Sequence, residues 1–182
     1  MPKLLALLVL LGVVLLASGC GKKEADPTTT WANDLCSSIS TWEDSVTATA
    51  SSVTSGNLSK AGLQSAANDA KAATTKLADD VKSLGAPPTD SGAQAKQELD
   101  QLSTEIQTGV QTVTEAAQGA SGVNGILSAI SVASSTLVTL NSEVSSTLNQ
   151  LKSLSTDASG ELKDAFNKAD ACKNLKTTTS SN

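Results

Sequence analysis

Apolar residues recur along most of this chain at intervals of three and four, the spacing that places them on one face of an α-helix. Between residues 31 and 154 the pattern defines four such faces, separated by segments rich in Gly, Pro or Asn. No stretch shows the strict alternation of a half-buried strand, and no hairpin signal occurs. The pattern therefore predicts an all-α fold.

The predicted helices are separated by recognisable breaks. Gly56-Asn57 ends the first helix, residues 85–88 (Gly-Ala-Pro-Pro) end the second, and the glycines of residues 118–125 end the third. Pro lacks an amide hydrogen and disfavours helix in the residue before it, so the second break is the best specified. Residues 28–30 and 89–91 supply side-chain oxygens that can cap the first and third helices.

Four long helices joined by short loops favour an up-down-up-down bundle, with a short C-terminal helix after them. The fourth stripe is the longest and most apolar, which predicts that its helix lies at the centre. The short helix either continues the fourth or begins after residues 155–157, and Gly160 favours the break. We expect a bundle domain over residues 31–175 and a frayed tail over 176–182. The last two stripes are Ile126, Ile130, Ala133, Leu137, Leu140, Val144, Leu148, Leu151 and Leu154, and then Leu162, Phe166, Ala169, Cys172 and Leu175.

The first twenty residues have a different pattern. Lys3 precedes thirteen consecutive apolar or Gly residues at positions 4–16, and three small residues at 17–19 then lead to Cys20. A cation, an apolar core and a small-residue cleavage site form the layout of a secretory signal peptide. The apolar run stops short of the roughly 20 residues that a membrane span needs. Residues 1–19 are therefore predicted to be an export signal.

The segment Leu16-Ala17-Ser18-Gly19-Cys20 resembles the lipobox of bacterial lipoproteins, although Ala17 stands where that family more often carries Leu. The resemblance implies that Cys20 becomes the lipidated, palmitate-bearing N-terminus, with residues 20–30 as a flexible tether. A single acyl chain binds membranes only marginally, so stable anchoring needs the two or more chains that lipobox processing supplies. The alternatives are an ordinary signal peptide with an incidental Cys and an uncleaved anchor.

Composition and charge exclude several classes of function. The chain has no His, Arg or Tyr, and Ser plus Thr account for 47 of its 182 residues. Without His, neither a di-iron nor a haem bundle can be built, and we predict no catalytic, cofactor-binding or metal-binding residue. Removal of Lys3 with the signal leaves 12 Lys against 18 acidic residues, a net charge of −6. That charge argues against nucleic acid as a partner.

Two cysteines remain after Cys20. Cys36 lies one turn into the first helix and Cys172 near the end of the last, and an even number of helix crossings brings both to one end of the bundle. In an oxidising compartment they are predicted to form a disulfide that closes a loop of about 136 residues. The alternative is two buried thiols that pack as small apolar side chains.

Two other groups of residues have structural explanations. Trp31 and Trp42 share the apolar face of the first helix and are predicted to lie in the core, with a ligand-stacking or lipid-interface role as the alternative for Trp31. The acidic pairs Glu43-Asp44 and Asp79-Asp80 fall off the apolar stripes. Adjacent carboxylates point about 100° apart on a helix, so a solvated face explains them better than a site.

These observations favour a non-enzymatic protein of the cell envelope, lipid-anchored outside the cytoplasm, with a structural or protein-interaction role. Its expected partners are the membrane, through the N-terminal lipid, and an envelope protein or cell-wall polymer. The alternative is a carrier or binding module for a small apolar ligand held in the bundle core. A pocket of about 300 Å³ or more would favour the carrier, and a dense core would favour the interaction role.

Overall fold

The computed structural model describes residues 26–55, 59–154 and 160–175, and within those ranges the chain forms six α-helices and no strand. Each long helix packs along its neighbour in the chain. The predicted all-α bundle of four long helices is therefore confirmed. The predicted signal peptide, Cys20 and the predicted tail lie outside the described residues. The helices are α1 (Pro27–Ser55), α2 (Lys60–Leu84), α3 (Gly92–Gly119), α4 (Gly122–Ser153), α5 (Glu161–Lys168) and α6 (Asp170–Lys173).

The two ends of the bundle differ, and we name them by the course of α1. The proximal half contains the start of α1, the turn between α2 and α3, the end of α4, and both short helices. The distal half contains the end of α1, the start of α2 and the link between α3 and α4. Each half has its own cluster of buried apolar residues.

The proximal core is built around two tryptophans of α1. Trp31 and Trp42 are 6% and 3% exposed, which confirms that they lie in the core. The indole N–H of Trp31 donates to the carbonyl oxygen of Gly85 at 3.2 Å, and that of Trp42 donates to Thr74 Oγ1 at 3.1 Å. The Trp31 ring meets Phe166 of α5 edge to face, with the ring centroids 6.1 Å apart. Both buried indoles thus have the polar partner that they require.

The two short helices are fixed to α1. Cys36 of α1 and Cys172 of α6 lie at disulfide distance, with 5.0 Å between their Cα atoms, which confirms the predicted pairing. The Asn33 side-chain oxygen accepts a hydrogen bond from the Ala171 backbone N–H at 3.1 Å. That bond satisfies one of the amides left unpaired at the start of α6. The C-terminal segment is therefore held by a covalent link and a polar link.

The turn between α2 and α3 follows the predicted break. Gly85 ends α2 with a φ of 66°, which is a left-handed conformation that favours glycine. A Cβ atom on Gly92 would lie 2.2 Å from the carbonyl oxygen of Pro87, so the backbone approaches itself too closely there for any larger residue. Ser91 occupies the N-cap position of α3, but its hydroxyl makes no cap hydrogen bond.

The boundaries of the first and last helices correct the sequence interpretation. The first helix begins at Pro27 and not after residues 28–30, because Asp26 caps it: the Asp26 carboxylate accepts from the Thr29 backbone N–H at 3.1 Å. Pro suits the first helical position, where its missing N–H leaves no bond unmade. The single C-terminal helix that we predicted is two helices, and α4 ends at Ser153 with α5 starting at Glu161. The α4 and α5 helices are thus separate.

The fourth helix also departs from its prediction. It begins at Gly122, within the Gly-rich segment predicted to be a loop, so the link from α3 is reduced to residues 120–121. It is not the central helix: it packs mainly along α3, and its first half is poorly covered. In the second half the apolar stripe is buried, and Val144, Leu148 and Leu151 belong to the proximal core.

Ser and Thr are accommodated in these helices by bonds to the preceding turn. The hydroxyls of Thr41, Ser45 and Thr49 donate to backbone carbonyl oxygens four residues earlier, at 2.8–2.9 Å. Such bonds satisfy the hydroxyl within its own helix. A helix can therefore carry many Ser and Thr residues without exposing unpaired donors to a partner.

Candidate functional site

The first half of α4 carries large apolar side chains on its surface. Val123, Leu127 and Val138 are 74%, 52% and 71% exposed, and they are the exposed large hydrophobic residues of the described chain. Ile130 and Leu137 lie beside them and are half-buried. We call this surface the distal face, and define it as Val123, Leu127, Ile130, Ser134, Leu137 and Val138.

An apolar cleft borders the distal face. All four long helices contribute to its walls, and about 120 Å³ of it is accessible to a water-sized molecule. Ile130, Ser134 and Leu137 of the distal face also form part of the lining. The complete lining is Thr49, Ala50, Leu63, Ala66, Ala67, Ala70, Val113, Ala117, Ala129, Ile130, Ala133, Ser134 and Leu137.

The cleft exists because the distal half has no counterpart of α5. In the proximal half α5 contacts both α1 and α4 and fills the space beside them with Leu162 and Phe166, which are 1% and 2% exposed. This helix has eight residues and is therefore about 12 Å long, against about 48 Å for α4. Beyond its reach, the small side chains of Ala66, Ala67 and Ala70 do not close the gap.

The parts of α1 and α4 that border the cleft are free of charge over a long stretch, whereas Lys71 of α2 lines an adjoining pocket together with Ala70 and Leu137. The sequence contains no Asp, Glu or Lys between residues 45 and 55 of α1, or between residues 116 and 142, which include the first half of α4. The cleft lining likewise contains no ionisable side chain, and Thr49 and Ser134 supply its hydroxyls. The site therefore has no group that could act as an acid, a base or a metal ligand. What it can do is bury an apolar partner.

The acidic pairs singled out in the sequence do not form a site. Asp80 pairs with Lys76 one turn away, with 2.6 Å between Nζ and the carboxylate, and Asp79 is exposed beside it. Glu43 is half-buried and Asp44 is exposed, and both lie in the part of α1 between the two halves. Across the residues that the structure describes, no cluster of three or more His, Cys, Asp or Glu could hold a metal ion.

The Asp170 carboxylate at the proximal end has a perturbed affinity for protons. The pKa of Asp170, at the start of α6, is lowered because Lys173 donates a hydrogen bond to it at 2.8 Å and adds a positive charge nearby. Both side chains are exposed at the proximal end, far from the cleft. This pair fits a helix-terminal ion pair, in which an acid at the helix N-terminus is favourable.

A second groove, between α3 and α4, is rich in hydroxyl groups. Thr104, Thr108 and Thr112 of α3 line it together with Glu105 and Glu143. The three Thr hydroxyls donate to carbonyl oxygens of their own helix at 3.0–3.1 Å, so these donors are already used. The groove is open to solvent, and about 420 Å³ of it is accessible to a water-sized molecule, but Glu105 and Glu143 in its lining do not suit an apolar ligand.

By length and composition, α4 is the one helix among the described segments that could cross a membrane. Only 11% of the residues in its most apolar window are buried within the protein. The second half of the same helix belongs to the proximal core, and the whole helix packs along α3. The apolar residues of α4 thus serve the bundle at one end and are uncovered at the other.

The distal face was not predicted from the sequence, because periodicity alone cannot tell a covered stripe from an uncovered one. One signal was available: residues 116–142 are long, uncharged and apolar on more than one side of the helix, since Val123, Leu127 and Val138 lie outside the predicted stripe. A core helix of a soluble bundle normally carries charges on its outer side.

Comparisons with known proteins give no match to this chain among family models, curated proteins or solved structures.

Proposed function

We propose that this chain is a lipid-anchored protein of the cell envelope, located outside the cytoplasm, that binds another protein through the distal face without catalysing a reaction. The observation that carries the proposal is the exposure of Val123, Leu127 and Val138 beside an uncharged apolar cleft. The lipobox-like segment ending at Cys20 supports the membrane anchor. The proximal half then serves as the stable support of the binding surface.

The energetics of the distal face favour a covered state. Full burial of a Val or Leu side chain stabilises by about 1.5–3 kcal/mol relative to exposure. Three such residues are more than half exposed here: Val123 and Leu127 are one turn apart on α4, and Val138 lies three turns further along the same face. Association also has an entropic cost, so these residues contribute to a complex without fixing its affinity. Clustered exposed apolar residues beside a groove mark a surface that another molecule covers.

The non-enzymatic part of the proposal follows from the side chains present. Proton transfer near neutral pH relies on His, or on carboxylates whose pKa is moved by burial and neighbours. The chain has no His, and Asp79 and Asp80 lie on an outer surface of α2. The double variant Asp79→Ala/Asp80→Ala should keep the helical circular dichroism and the binding activity of the parent. A reaction rate eliminated by that variant, with the fold intact, would refute a non-enzymatic role.

Photo-crosslinking in the native membrane tests the binding surface. A photoreactive amino acid at position 138 should give a protein adduct, whereas the same group at position 75, an exposed position on α2, should not. Adducts from both positions in equal yield would indicate nonspecific contact, and no adduct from position 138 would contradict the proposal.

Cys20→Ser tests the anchor, because it should release the chain from the membrane. Retention of that variant would favour an uncleaved anchor.

The cleft supports a carrier of small apolar ligands as a second candidate. Its lining is apolar apart from two hydroxyl-bearing residues, as a hydrocarbon site requires. Its accessible volume of about 120 Å³ is below the roughly 300–1,000 Å³ of drug-sized ligand sites, so it suits a small group better than a whole lipid. Titration of the protein with a fluorescent fatty acid tests the carrier role. Saturable binding that Ala67→Leu removes would favour the carrier, and no binding would leave the protein-interaction role.

A further inference from the structure

We propose that a single amphipathic helix of another protein occupies the gap between α1 and α4 in the distal half, as α5 occupies it in the proximal half. This inference rests on the proposed function, since it names the kind of partner that the distal face binds. Three observations carry it: the gap continues from one half to the other, α5 shows which element fits it, and the described part of the chain has no further helix to fill it.

The gap arises from the order of the long helices. α1 packs along α2, α2 along α3 and α3 along α4, whereas α1 and α4 hardly touch each other. In the proximal half α5 lies between them and contacts both. In the distal half the same gap is the cleft, with Thr49 and Ala50 on its α1 side and Ile130 and Leu137 on its α4 side. The vacant part is therefore continuous with an interface that a helix of this chain already forms.

The helix α5 shows which kind of element fits between α1 and α4. Its apolar residues are at most 2% exposed, and together with the residue that follows the helix they stand at positions i, i+3, i+4 and i+7. These are the anchor positions with which an amphipathic helix enters an apolar groove. The other residues of α5 are polar or charged, and all of them are exposed. A partner helix needs the same division into an apolar and a polar side. The four anchors of α5 are Leu162, Ala165, Phe166 and Ala169.

The vacant part has room for a helix of up to about five turns. The short helices α5 and α6 lie beside the first turns of α1, as the Trp31–Phe166 and Cys36–Cys172 contacts show. Ser55, the last residue of α1, lies 19 residues after Cys36, or about 28 Å further along the helix. The accessible volume of the cleft, about 120 Å³, is too small for a helix backbone but suits the apolar side chains that a helix directs into it. A helix seated there lies against the distal face.

The chain has no helix to spare for this position among its described residues. The short helices α5 and α6 are held at the proximal end by the Cys36–Cys172 pair. The α4 helix of a second copy packs along its own α3, so it cannot enter a gap that has walls on both sides and α2 at its floor. The apolar segment 4–16 is predicted to be removed with the export signal. The occupant is therefore a helix of another protein.

Photo-crosslinking of the full chain in its native membrane tests the inference. A photoreactive amino acid is placed at position 127 and, in a second protein, at position 134; both positions are exposed and lie seven residues apart on one side of α4. Seven residues of an α-helix span about 10 Å, so on a helical partner the two modified residues should lie about seven residues apart. On an extended segment they would lie about three residues apart, and that interval would overturn the inference.

Crosslinks from the opposite wall show whether the partner lies in the gap. Position 50, on the α1 side of the cleft, should modify the same segment of the partner, whereas position 48, exposed on another side of α1, should not. Ala67→Leu fills the cleft from α2 and should lower the adduct yield from position 50 at least fivefold. Ala72→Leu adds the same atoms at an exposed position of α2, so it should leave the yield unchanged. Equal yields from the two variants would overturn the inference.

The remaining outcomes separate this inference from the proposed function. Adducts from position 138 with none from position 50 would refute a helix in the gap but keep the proposed function. Adducts that contain peptides of a second copy of this chain would refute the inference. Adducts with lipid alone, or no adduct from any of these positions, would refute the proposed function as well.

Discussion

The proximal and distal halves of this bundle are built from the same four long helices, yet they are filled with different side chains. The proximal core holds both Trp residues, the Phe and most of the buried Leu residues, and the Cys36–Cys172 pair closes it. The distal cluster contains Leu63 and Val113, and its other buried members are Ala. The same backbone architecture is therefore tightly packed at one end and loosely packed at the other.

This difference separates the half that stabilises the fold from the half that carries the proposed binding surface. Large buried side chains and a crosslink stabilise the end that lies next to the predicted tether. Surfaces that bind partners are usually drawn from the less stable parts of a fold, where few apolar contacts would be lost. The distal half fits that description, since its apolar residues on α4 lack a covering helix. Three substitutions, or pairs of substitutions, test this division of the molecule.

The largest effect is expected from loss of the disulfide. The double variant Cys36→Ala/Cys172→Ala opens a loop with a sequence separation of 136 residues. Chain-entropy arithmetic for a loop of that length gives a loss of about 4–5 kcal/mol in the free energy of unfolding, and removal of native disulfides typically costs about 2–5 kcal/mol. Urea unfolding of the mature chain measures the loss.

The reduced parent protein is the control for this variant, because it lacks the same covalent link and keeps both sulfur atoms. It should lose a similar amount of stability. Hydrogen exchange should increase first at the amides of α5 and α6, which the bridge holds against α1. A loss below about 1 kcal/mol in both proteins would show that packing alone holds the proximal end.

The second prediction compares two leucines on one helix. Leu151 of α4 is fully buried in the proximal core, whereas Leu127 is 52% exposed on the distal face. Leu151→Ala should lower the free energy of unfolding by about 2–5 kcal/mol, because it leaves a cavity in a dense core. Leu127→Ala should change it by less than about 0.5 kcal/mol.

Denaturant unfolding at low protein concentration measures both variants, so that self-association does not contribute. Leu127→Ala should instead weaken the photo-crosslinking from position 138. Equal losses of stability from the two variants would mean that the distal face is covered within the monomer, and the contrast between the halves would fail.

Much of the fold could be predicted from the sequence because its signals are local. The turn at residues 85–88 follows from two prolines and a glycine, and the helical faces follow from apolar spacing. The pairing of Cys36 with Cys172 required one further step, the count of helix crossings. Each inference depends on chain order and short-range chemistry, which a single sequence contains.

The start of α1 was predicted too late because two capping signals compete there. Thr28, Thr29 and Thr30 are all acceptable caps, but Asp26 followed by Pro27 places a carboxylate and a preset φ one turn earlier. The Asp26 carboxylate also accepts from the Thr29 hydroxyl at 2.9 Å. Those threonines therefore lie within the first turn and do not precede it.

The distal face could not be located from periodicity, because exposure depends on what covers a stripe. The most apolar stripe predicted the most central helix, and that expectation was wrong. The position beside α1 and α4 is filled by α5, and α5 is too short to extend into the distal half. Helix lengths and tertiary contacts decide this outcome, and the hydrophobic pattern of α4 specifies neither.

The third and smallest effect on the free energy of unfolding is expected when either of two alanines on α2 is replaced by leucine. Ala67 is 8% exposed and lines the distal cleft, whereas Ala78 is 2% exposed in the proximal core. Ala67→Leu adds three carbon atoms; each newly buried one stabilises by about 0.8 kcal/mol and ordering the Leu side chain costs about 0.5–1 kcal/mol, so the variant should raise the free energy of unfolding by about 1.5 kcal/mol. Ala78→Leu should lower it by about 1–3 kcal/mol, because a dense core has no room for the added atoms. Thermal and urea unfolding of the two variants show whether each substitution raises or lowers the free energy of unfolding. Destabilisation by both would mean that the cleft is closed in solution, and stabilisation by both would mean that the proximal core is no denser than the distal one.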